Sequence, residues 1–242
     1  MTLLIESLQL TISNRNIVNN VTLNVDPGEV VGLLGPNGAG KTSTFNMIVG
    51  LIKPNQGNIY LEGNSIKNLT MTKRVQLGIG YLAQEPSVFR NLTVKENLDI
   101  ALNHSGLTKS LCRNKRETLI DKFNLSSFVD RYGYQLSGGE RRRCEVARAL
   151  AVGRISPKYL LLDEPFAGID PIAIYDIQNL IETLRGSGMG LLITDHNVRE
   201  TLAITNRSYI IAEGRILRSG SSKDVSNDPL VKKYYLGENF QL

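Results

Sequence analysis

The chain has 242 residues, of which 41% are hydrophobic and 21% are charged, enough apolar side chains for one large folded domain. This composition excludes a wholly disordered chain, and no apolar run approaches the ~18–20 residues that a membrane-spanning helix needs. The net charge of +5 suits an anionic ligand, but the basic residues are scattered, so charge alone selects no class of partner.

The first third of the chain is predicted to be rich in β-strands. Alternating polar and apolar residues predict strands at Leu3–Ser13 and Val18–Val25, and a continuous apolar run predicts a strand buried on both faces at Glu29–Leu34. A helix is predicted for Thr42–Gly50 and a further strand for Gly57–Glu62.

The middle of the chain, about residues 92–136, changes to a helical pattern. Thr93 and Glu96 have the spacing of a capping box at a helix start. A second amphipathic stretch runs from Leu111 to Phe123. These features predict an α-helical subdomain inserted into an α/β core.

From Ser137 onward, helices and strands alternate. The predicted elements are helices at Gly138–Val152, Ile172–Arg185 and Val198–Ile204, strands at Tyr159–Leu162 and Gly190–Thr194, and a hairpin of Tyr209–Ala212 with Arg215–Ser219. Such alternation predicts an α/β fold with a mostly parallel sheet, preceded by an N-terminal antiparallel β segment. The stretch Ala151–Lys158 is predicted to be a surface loop.

A glycine-rich segment follows the buried strand and opens the first helix. It reads Gly35, Pro36, Asn37, Gly38, Ala39, Gly40, Lys41, Thr42, which matches the phosphate-binding loop pattern in full. The backbone N–H groups of such a loop face one anion. Lys41 is expected to neutralise the β- and γ-phosphates and the Thr42 hydroxyl to bind Mg²⁺, with Ser43 offering a second hydroxyl.

Two carboxylates follow the apolar strand Tyr159–Leu162. Asp163 is expected to hold the metal ion, commonly through water, and Glu164 to orient and deprotonate an attacking water. The carboxyl ends of parallel strands are where α/β folds gather their ligands. The phosphate-binding loop and these carboxylates together specify a nucleoside-triphosphate hydrolase.

The segment Leu136–Glu140, with the sequence LSGGE, is the most discriminating feature. Ser137 and Glu140 have the spacing of a capping box. The successive glycines Gly138 and Gly139 each cost about 1 kcal/mol relative to alanine within a helix, which indicates that something approaches the backbone closely. The turn is therefore a second helix N-terminus ready to bind an anion.

The densest basic cluster is Arg141–Arg143. Adjacent helical residues point in different directions, so most of this cluster is expected to face solvent, with Glu145 in pairing range of Arg141 and Arg142. A nucleic-acid surface needs more basic residues on one face with aromatic residues between them. No nucleic-acid partner is predicted.

Taken together, these motifs resemble those of ABC transporter ATPases over nearly the whole chain. The resemblance implies a P-loop NTPase core with ATP and Mg²⁺ as cofactors. It also implies a head-to-tail homodimer in which Ser137, Gly138 and Gly139 of one chain complete the nucleotide site of the other.

The same resemblance assigns roles to three further residues. Gln84 would sense Mg²⁺ and the attacking water, and His196 would contact the γ-phosphate. Asp170 would lie in the loop that crosses the dimer interface. The whole of residues 1–242 would be one ATP-binding domain, with a core at about 1–91 and 137–220, a helical subdomain at about 92–136 and a C-terminal helical tail at about 221–242.

The chain departs from the family pattern at the adenine site. Most members stack an aromatic residue on adenine near the end of the first strand, whereas here that position falls at Ile12 and no aromatic residue precedes Phe45. An aliphatic side chain loses the aromatic contribution of roughly 0.5–1.5 kcal/mol. We expect weak adenine binding and poor discrimination against GTP.

Several segments resemble the lipopolysaccharide-exporting branch of the family, namely Gln84–Arg90, Ser137–Arg143, Leu162–Pro171, Thr194–Thr201 and Tyr235–Phe240. This implies a dimer on the cytoplasmic face of the inner membrane, docked on a heterologous pair of separate permease subunits and without direct contact with the cargo. The ATPase of a branched-chain amino-acid importer is one alternative. A non-transport ABC ATPase acting on nucleic acid or ribosomes is another.

The permease subunits are expected to dock on the helical subdomain and on Glu85–Leu92, a range we call the docking segment. Phe89 would be an exposed aromatic anchor there, since aromatic residues are enriched among interface hot spots. Simple packing of Phe89 under the loop is the alternative.

Overall fold

The computed structural model of the chain describes residues 2–240. Its strands are β1 (Leu3–Ile12), β2 (Arg15–Val25), β3 (Val30–Leu34), β4 (Gln56–Leu61), β5 (Asn64–Ser65), β6 (Ile79–Leu82), β7 (Tyr159–Asp163), β8 (Gly190–Thr194), β9 (Arg207–Ala212) and β10 (Arg215–Gly220). Its α-helices are α1 (Lys41–Val49), α2 (Met71–Gln76), α3 (Val94–Asn103), α4 (Lys109–Lys122), α5 (Gly138–Ala151), α6 (Pro171–Gly186), α7 (Val198–Ile204), α8 (Ser222–Asn227) and α9 (Pro229–Val231).

The strands form two sheets. The N-terminal sheet is antiparallel and has the order β2-β1-β4-β5. The central sheet has the order β10-β9-β3-β8-β7-β6 and is parallel from β9 to β6, with β10 antiparallel at one edge. The predicted α/β fold with a mostly parallel sheet and an antiparallel N-terminal segment is confirmed.

The central strands β3, β7 and β8 are buried along their entire length. Successive side chains of a strand point to opposite faces, so Leu160 packs against the helices α3–α6 while Leu161 packs against the N-terminal sheet and α1. Both faces of the sheet are thus covered by apolar layers, which explains why these strands are continuous apolar runs in the sequence.

The predicted helical subdomain begins with α3, which starts at the predicted capping box. The Thr93 Oγ1 accepts a hydrogen bond from the Glu96 N–H at 3.2 Å, and the Glu96 carboxylate accepts one from the Thr93 N–H at 2.7 Å. Val94, Leu98 and Ala101 are buried along one side of α3 and join the core with α4 and α5. The division into core and subdomain stays a prediction.

The described part of the predicted C-terminal tail, residues 221–240, is mostly helical. It comprises α8, α9 and a π-helical turn at Lys232–Leu236. Val225 and Val231 pack with Leu34 at the end of β3 and with Leu202 on α7. Residues 1, 241 and 242 of the predicted domain and tail lie outside the described residues.

Three of the strands and α-helices were not predicted, namely β5, α2 and β6. Arg74 of α2 is 1% exposed, and its guanidinium donates to the carbonyls of Met47 at 2.7 Å and Ile48 at 2.6 Å, at the C-terminal end of α1. Burial lowers the pKa of Arg74 to about 10. The short helix α2 thus depends on a tertiary contact with α1 that its own sequence does not signal.

The stretch Ala151–Lys158 is not wholly at the surface as predicted. Gly153 and Pro157 within it are buried. The Lys115 ammonium of α4 donates to the carbonyls of Ala151 and Gly153, both at 3.2 Å, and so anchors the start of the loop.

Every helix described between residues 2 and 240 is too short or too polar to cross a membrane.

Candidate functional site

The phosphate-binding loop connects β3 to α1. The Lys41 ammonium is buried and donates to the carbonyls of Gly35 at 2.7 Å and Pro36 at 2.9 Å, so the side chain folds back over its own loop. Burial lowers the pKa of Lys41, and the charges of Glu164 and Asp163 oppose part of that shift. Lys41, predicted to bind the phosphates, therefore lies close to Asp163 and Glu164, the carboxylates predicted to bind the metal ion and to activate water.

The backbone of this loop requires glycine at its last position before the helix. Gly40 caps α1 with φ +103°, a left-handed conformation that L side chains rarely adopt. A Cβ added there would also lie 2.7 Å from the Ile17 carbonyl oxygen. Beyond it, Thr42 is exposed and Ser43 is half-buried, so the Thr42 hydroxyl is open to a ligand.

The structure brings together Gln84, Glu164 and His196. The Gln84 amide donates to Glu164 Oε2 at 2.8 Å, and His196 Nε2 lies 2.7 Å from Glu164 Oε1. Glu164 is 6% exposed, whereas the His196 side chain is half exposed. The predicted general base Glu164 thus contacts both residues predicted to assist it, Gln84 and His196, although the three lie in separate parts of the chain.

Asp163 is the candidate metal ligand. It is 1% exposed, and among residues 2–240 no donor lies within ordinary hydrogen-bond geometry of its carboxylate oxygens, although the Tyr81 hydroxyl is close enough to lower its pKa. Burial, and next the charge of Glu164, raise the pKa of Asp163 to about 6. Buried carboxylates are normally paired or bound to a metal ion, so the donor set of this site fits a hard divalent cation such as Mg²⁺.

The turn after Asp163 is strained and is held by Arg142. Glu164 has φ +51°, an unfavourable conformation for a residue other than glycine. Arg142 is 5% exposed, and its guanidinium donates to the carbonyl of Glu164 at 2.7 Å. The expectation that the cluster Arg141–Arg143 mostly faces solvent is wrong for Arg142, because α5 turns this side chain toward the ends of β6 and β7.

The turn Ser137–Gly139 begins α5 as predicted. The Ser137 hydroxyl accepts from the Glu140 N–H at 3.3 Å, and the Glu140 carboxylate accepts from the Ser137 N–H at 2.9 Å. A Cβ at Gly139 would lie 2.6 Å from the Cβ of Ala173 on α6. At Gly139, the close approach predicted from the paired glycines is therefore made by α6 of the same chain. Ser137, in contrast, is exposed.

A family model described as ABC transporter matches residues 18–167, more than half of the chain. The chain belongs to the ABC transporter family. It is 52% identical over 238 residues, 98% of each chain, to the lipopolysaccharide export system ATP-binding protein LptB of Haemophilus influenzae. It is 48% identical over 242 residues, 100% of this chain and 99% of the other, to the LptB protein of Escherichia coli K12.

Solved structures agree with the family. The ADP conformation of MJ1267, an ATP-binding cassette of an ABC transporter, matches with a TM-score of 0.87 and 29% identity over 98% of this chain and 100% of that one. A nucleotide-free ATP-binding cassette from an ABC transporter matches with a TM-score of 0.88 and 29% identity, again over 98% and 100%. The predicted ABC ATPase fold and ATP-hydrolysing activity are confirmed.

The predicted adenine position, Ile12, lies at the tip of the first hairpin. Ile12 pairs with Arg15 across a tight turn in which Ser13 and Asn14 have φ +47° and +61°. Ile12 is 48% exposed, a large apolar side chain open to solvent. The turn leaves this side chain free to contact a ligand, and its role at the adenine site stays a prediction.

The backbone of the predicted docking segment is fixed by hydrogen bonds to Asn97 of α3. Its buried amide accepts from the Phe89 N–H at 2.9 Å and donates to the Phe89 carbonyl at 3.1 Å. Phe89 is 45% exposed, and the Arg148 guanidinium lies over its ring, with 4.7 Å between Arg148 Cζ and the ring centroid. The ring is therefore not buried under the loop, and its role as an anchor stays a prediction.

The roles of the site residues in this family member also stay predictions. Asp170, predicted to cross a dimer interface, caps α6 by accepting from the N–H groups of Ile172 at 3.0 Å and Ala173 at 3.1 Å. Sequence reasoning did not single out Arg142 as part of the site.

Proposed function

We propose that the chain is the ATP-hydrolysing subunit of a lipopolysaccharide exporter, which drives lipopolysaccharide from the inner toward the outer membrane. The observation that carries this proposal is identity of about half, over essentially the full length, to proteins named as the lipopolysaccharide export ATPase in different bacteria. The cargo does not contact this subunit in the proposed assembly, so the residues around ATP are not what selects it.

The triphosphate of ATP binds the backbone N–H groups of residues 35–42 in this proposal. Lys41 exchanges its two carbonyl contacts for the β- and γ-phosphates, whose negative charge stabilises the protonated form that burial disfavours. Thr42, Gln84 and Asp163 would hold Mg²⁺, which neutralises the charge that develops on the phosphates. The unpartnered oxygens of Asp163 support this assignment.

Hydrolysis requires a base beside the γ-phosphate. Glu164 takes a proton from the attacking water, while Gln84 and His196 orient the water and the γ-phosphate. The contacts of Glu164 with Gln84 and His196 support these roles, because they hold the carboxylate in one orientation.

The site is completed by a second copy of the chain. Ser137, Gly138 and Gly139 of that copy close over the γ-phosphate, so hydrolysis depends on closure of the dimer. The exposed Ser137 hydroxyl at the N-terminus of the 14-residue helix α5 supports this role, since such an end attracts anions. Closure then moves the permease subunits that lie on the docking segment at the cytoplasmic face of the membrane.

Purification from membranes tests the function directly. The tagged chain is extracted in mild detergent and its permease partners are identified by mass spectrometry. The isolated complex is then placed in proteoliposomes with lipopolysaccharide, and ATP-dependent release is compared between the unaltered chain and Glu164→Gln. Recovery of an amino-acid importer's permeases, or of a ribosomal or DNA-repair complex, would overturn the proposal.

A further inference from the structure

A buried ion pair lies between the docking segment and the turn Asp163–Pro165, which carries the predicted base Glu164 and which we call the catalytic turn. Arg142 and Glu145, one turn apart on α5, contact each other at 3.0 Å with side chains only 7% and 1% exposed. Taking two charges out of water is costly unless further hydrogen bonds satisfy both groups. The partners that satisfy each charge therefore indicate what the pair holds together.

The Arg142 guanidinium holds the catalytic turn. Besides the Glu164 carbonyl at 2.7 Å, it donates to the carbonyls of Asp163 at 3.0 Å and Pro165 at 3.2 Å. Three successive carbonyls are thus fixed by one planar, charged group. Strained backbone conformations persist where the surroundings over-determine them, and Glu164 with φ +51° is such a case.

The same pair also holds the docking segment. The Glu145 carboxylate accepts from the N–H groups of Ser87 at 2.7 Å and Val88 at 3.4 Å. Arg142 in turn donates to the carbonyl of Ala83, next to Gln84, at 3.2 Å. One buried pair therefore contacts the backbone on both sides of Gln84 as well as the backbone of the predicted base.

We propose that Arg142 is a positioning residue that sets the orientation of the Glu164 carboxylate, and that Glu145 links this orientation to the docking segment. This inference rests on the proposed function only for its second half, the response to permease subunits. A displacement of Ser87 and Val88 moves Glu145, which moves Arg142 through the ion pair. The movement of Arg142 then displaces the backbone of Glu164. The rate of hydrolysis then responds to whatever binds the docking segment.

Arg142→Lys tests the first half. Lysine keeps the charge but cannot present a planar fork to several carbonyls at once. We expect kcat of the isolated chain to fall about 100-fold, the cost of misplacing a reacting group by ~1 Å, while KM for ATP and the thermal midpoint change little. Arg143→Lys is the matched control, because Arg143 lies over the Phe128 ring and donates to none of the three carbonyls that Arg142 contacts.

The combination of readouts separates positioning from simple stability. An unchanged kcat in Arg142→Lys overturns the inference, and so does a parallel loss of kcat, ATP affinity and thermal midpoint. Where the lysine variant fails to fold, Arg142→Gln provides the measurement, because its neutral amide can donate to at most two of the carbonyls that Arg142 contacts.

Glu145→Gln tests the second half in the purified complex. We expect the stimulation of its ATPase rate by the permease subunits, taken relative to the rate of the isolated variant, to be lost. Full stimulation in this variant would overturn the link. If the permeases recovered belong to another transporter, the proposed cargo fails while the kcat result for Arg142→Lys still stands.

Discussion

His196 Nε2 lies 2.7 Å from Glu164 Oε1, so the loop after β8 directly contacts the carboxylate that follows β7. The Gln84 amide donates to the other carboxylate oxygen of Glu164, Oε2, at 2.8 Å. Parallel neighbouring strands bring these loops to one edge of the sheet. The candidate base therefore has both oxygens engaged by side chains that the approach of a nucleotide and its water would rearrange.

Glu164→Gln is expected to bind ATP, hydrolyse almost none and accumulate as a dimer. The amide keeps the size of the side chain but cannot take a proton, and loss of a general base costs about 10²–10⁴-fold in rate. Steady-state phosphate release, fluorescent-nucleotide binding and light scattering measure the three properties.

The exposed Glu213, at the β9–β10 turn, supplies the control variant Glu213→Gln. A Glu164→Gln protein that stays monomeric with ATP and turns over at the full rate would contradict both the base and the shared site.

Ser137→Arg is expected to abolish turnover while leaving nucleotide binding nearly intact. The arginine would occupy the space above the N-terminus of α5, where the second chain's γ-phosphate is predicted to lie. Loss of the helix cap alone costs ~1 kcal/mol, which Ser137→Ala measures separately. An ATPase rate of Ser137→Arg equal to that of the unaltered chain would show that the turn does not contribute to hydrolysis.

Ile12→Tyr is expected to bind ATP more tightly. Restoring an aromatic contact of roughly 0.5–1.5 kcal/mol corresponds to about a two- to tenfold gain in affinity. Isothermal titration with ATP and GTP, for the unaltered chain, Ile12→Tyr and the aliphatic control Ile12→Leu, tests this. The selectivity for ATP over GTP should rise in Ile12→Tyr, and an unchanged affinity for both nucleotides would count against the adenine assignment.

Most of the fold follows from local patterns in the sequence. The buried runs of β7 and β8 and the capping boxes of α3 and α5 are local signals, and the structure places these elements within a few residues of their predicted bounds. By contrast, β6 is a short strand containing Gly80, and α2 is six residues long. Neither carries enough periodicity to be distinguished from a loop, since both are stabilised by neighbours distant in sequence.

The same distinction applies to the site. The residues of the phosphate-binding loop and the carboxylates could be predicted because their spacing is itself the motif. Arg142 could not, since a run of three arginines suggests a solvated surface. One signal was available: Arg142 shares a helix face with Glu145 and Val146, and Val146 belongs to the apolar side of α5. A charged pair on the core side of a helix indicates a buried ion pair.

The buried Asp163 predicts a pH-dependent stability in the absence of metal ions. Its pKa rises from 3.8 to about 6 on folding, so the folded chain holds this proton more tightly than the unfolded chain. The free energy of unfolding therefore falls as pH rises through that range, by at most about 3 kcal/mol, and the loss is complete above about pH 6.

Asp163→Asn removes this dependence. In EDTA, we expect the variant to gain stability relative to the unaltered chain at pH 7.5 and to gain little at pH 4, as measured by urea unfolding. The exposed Asp176 on α6 supplies the control, Asp176→Asn, for loss of a carboxylate alone. With Mg²⁺ and ATP the order should reverse, because binding stabilises the unaltered chain in proportion to ligand affinity. If Asp163→Asn and the unaltered chain differed in stability by the same amount at both pH values, folding would not raise the pKa of Asp163.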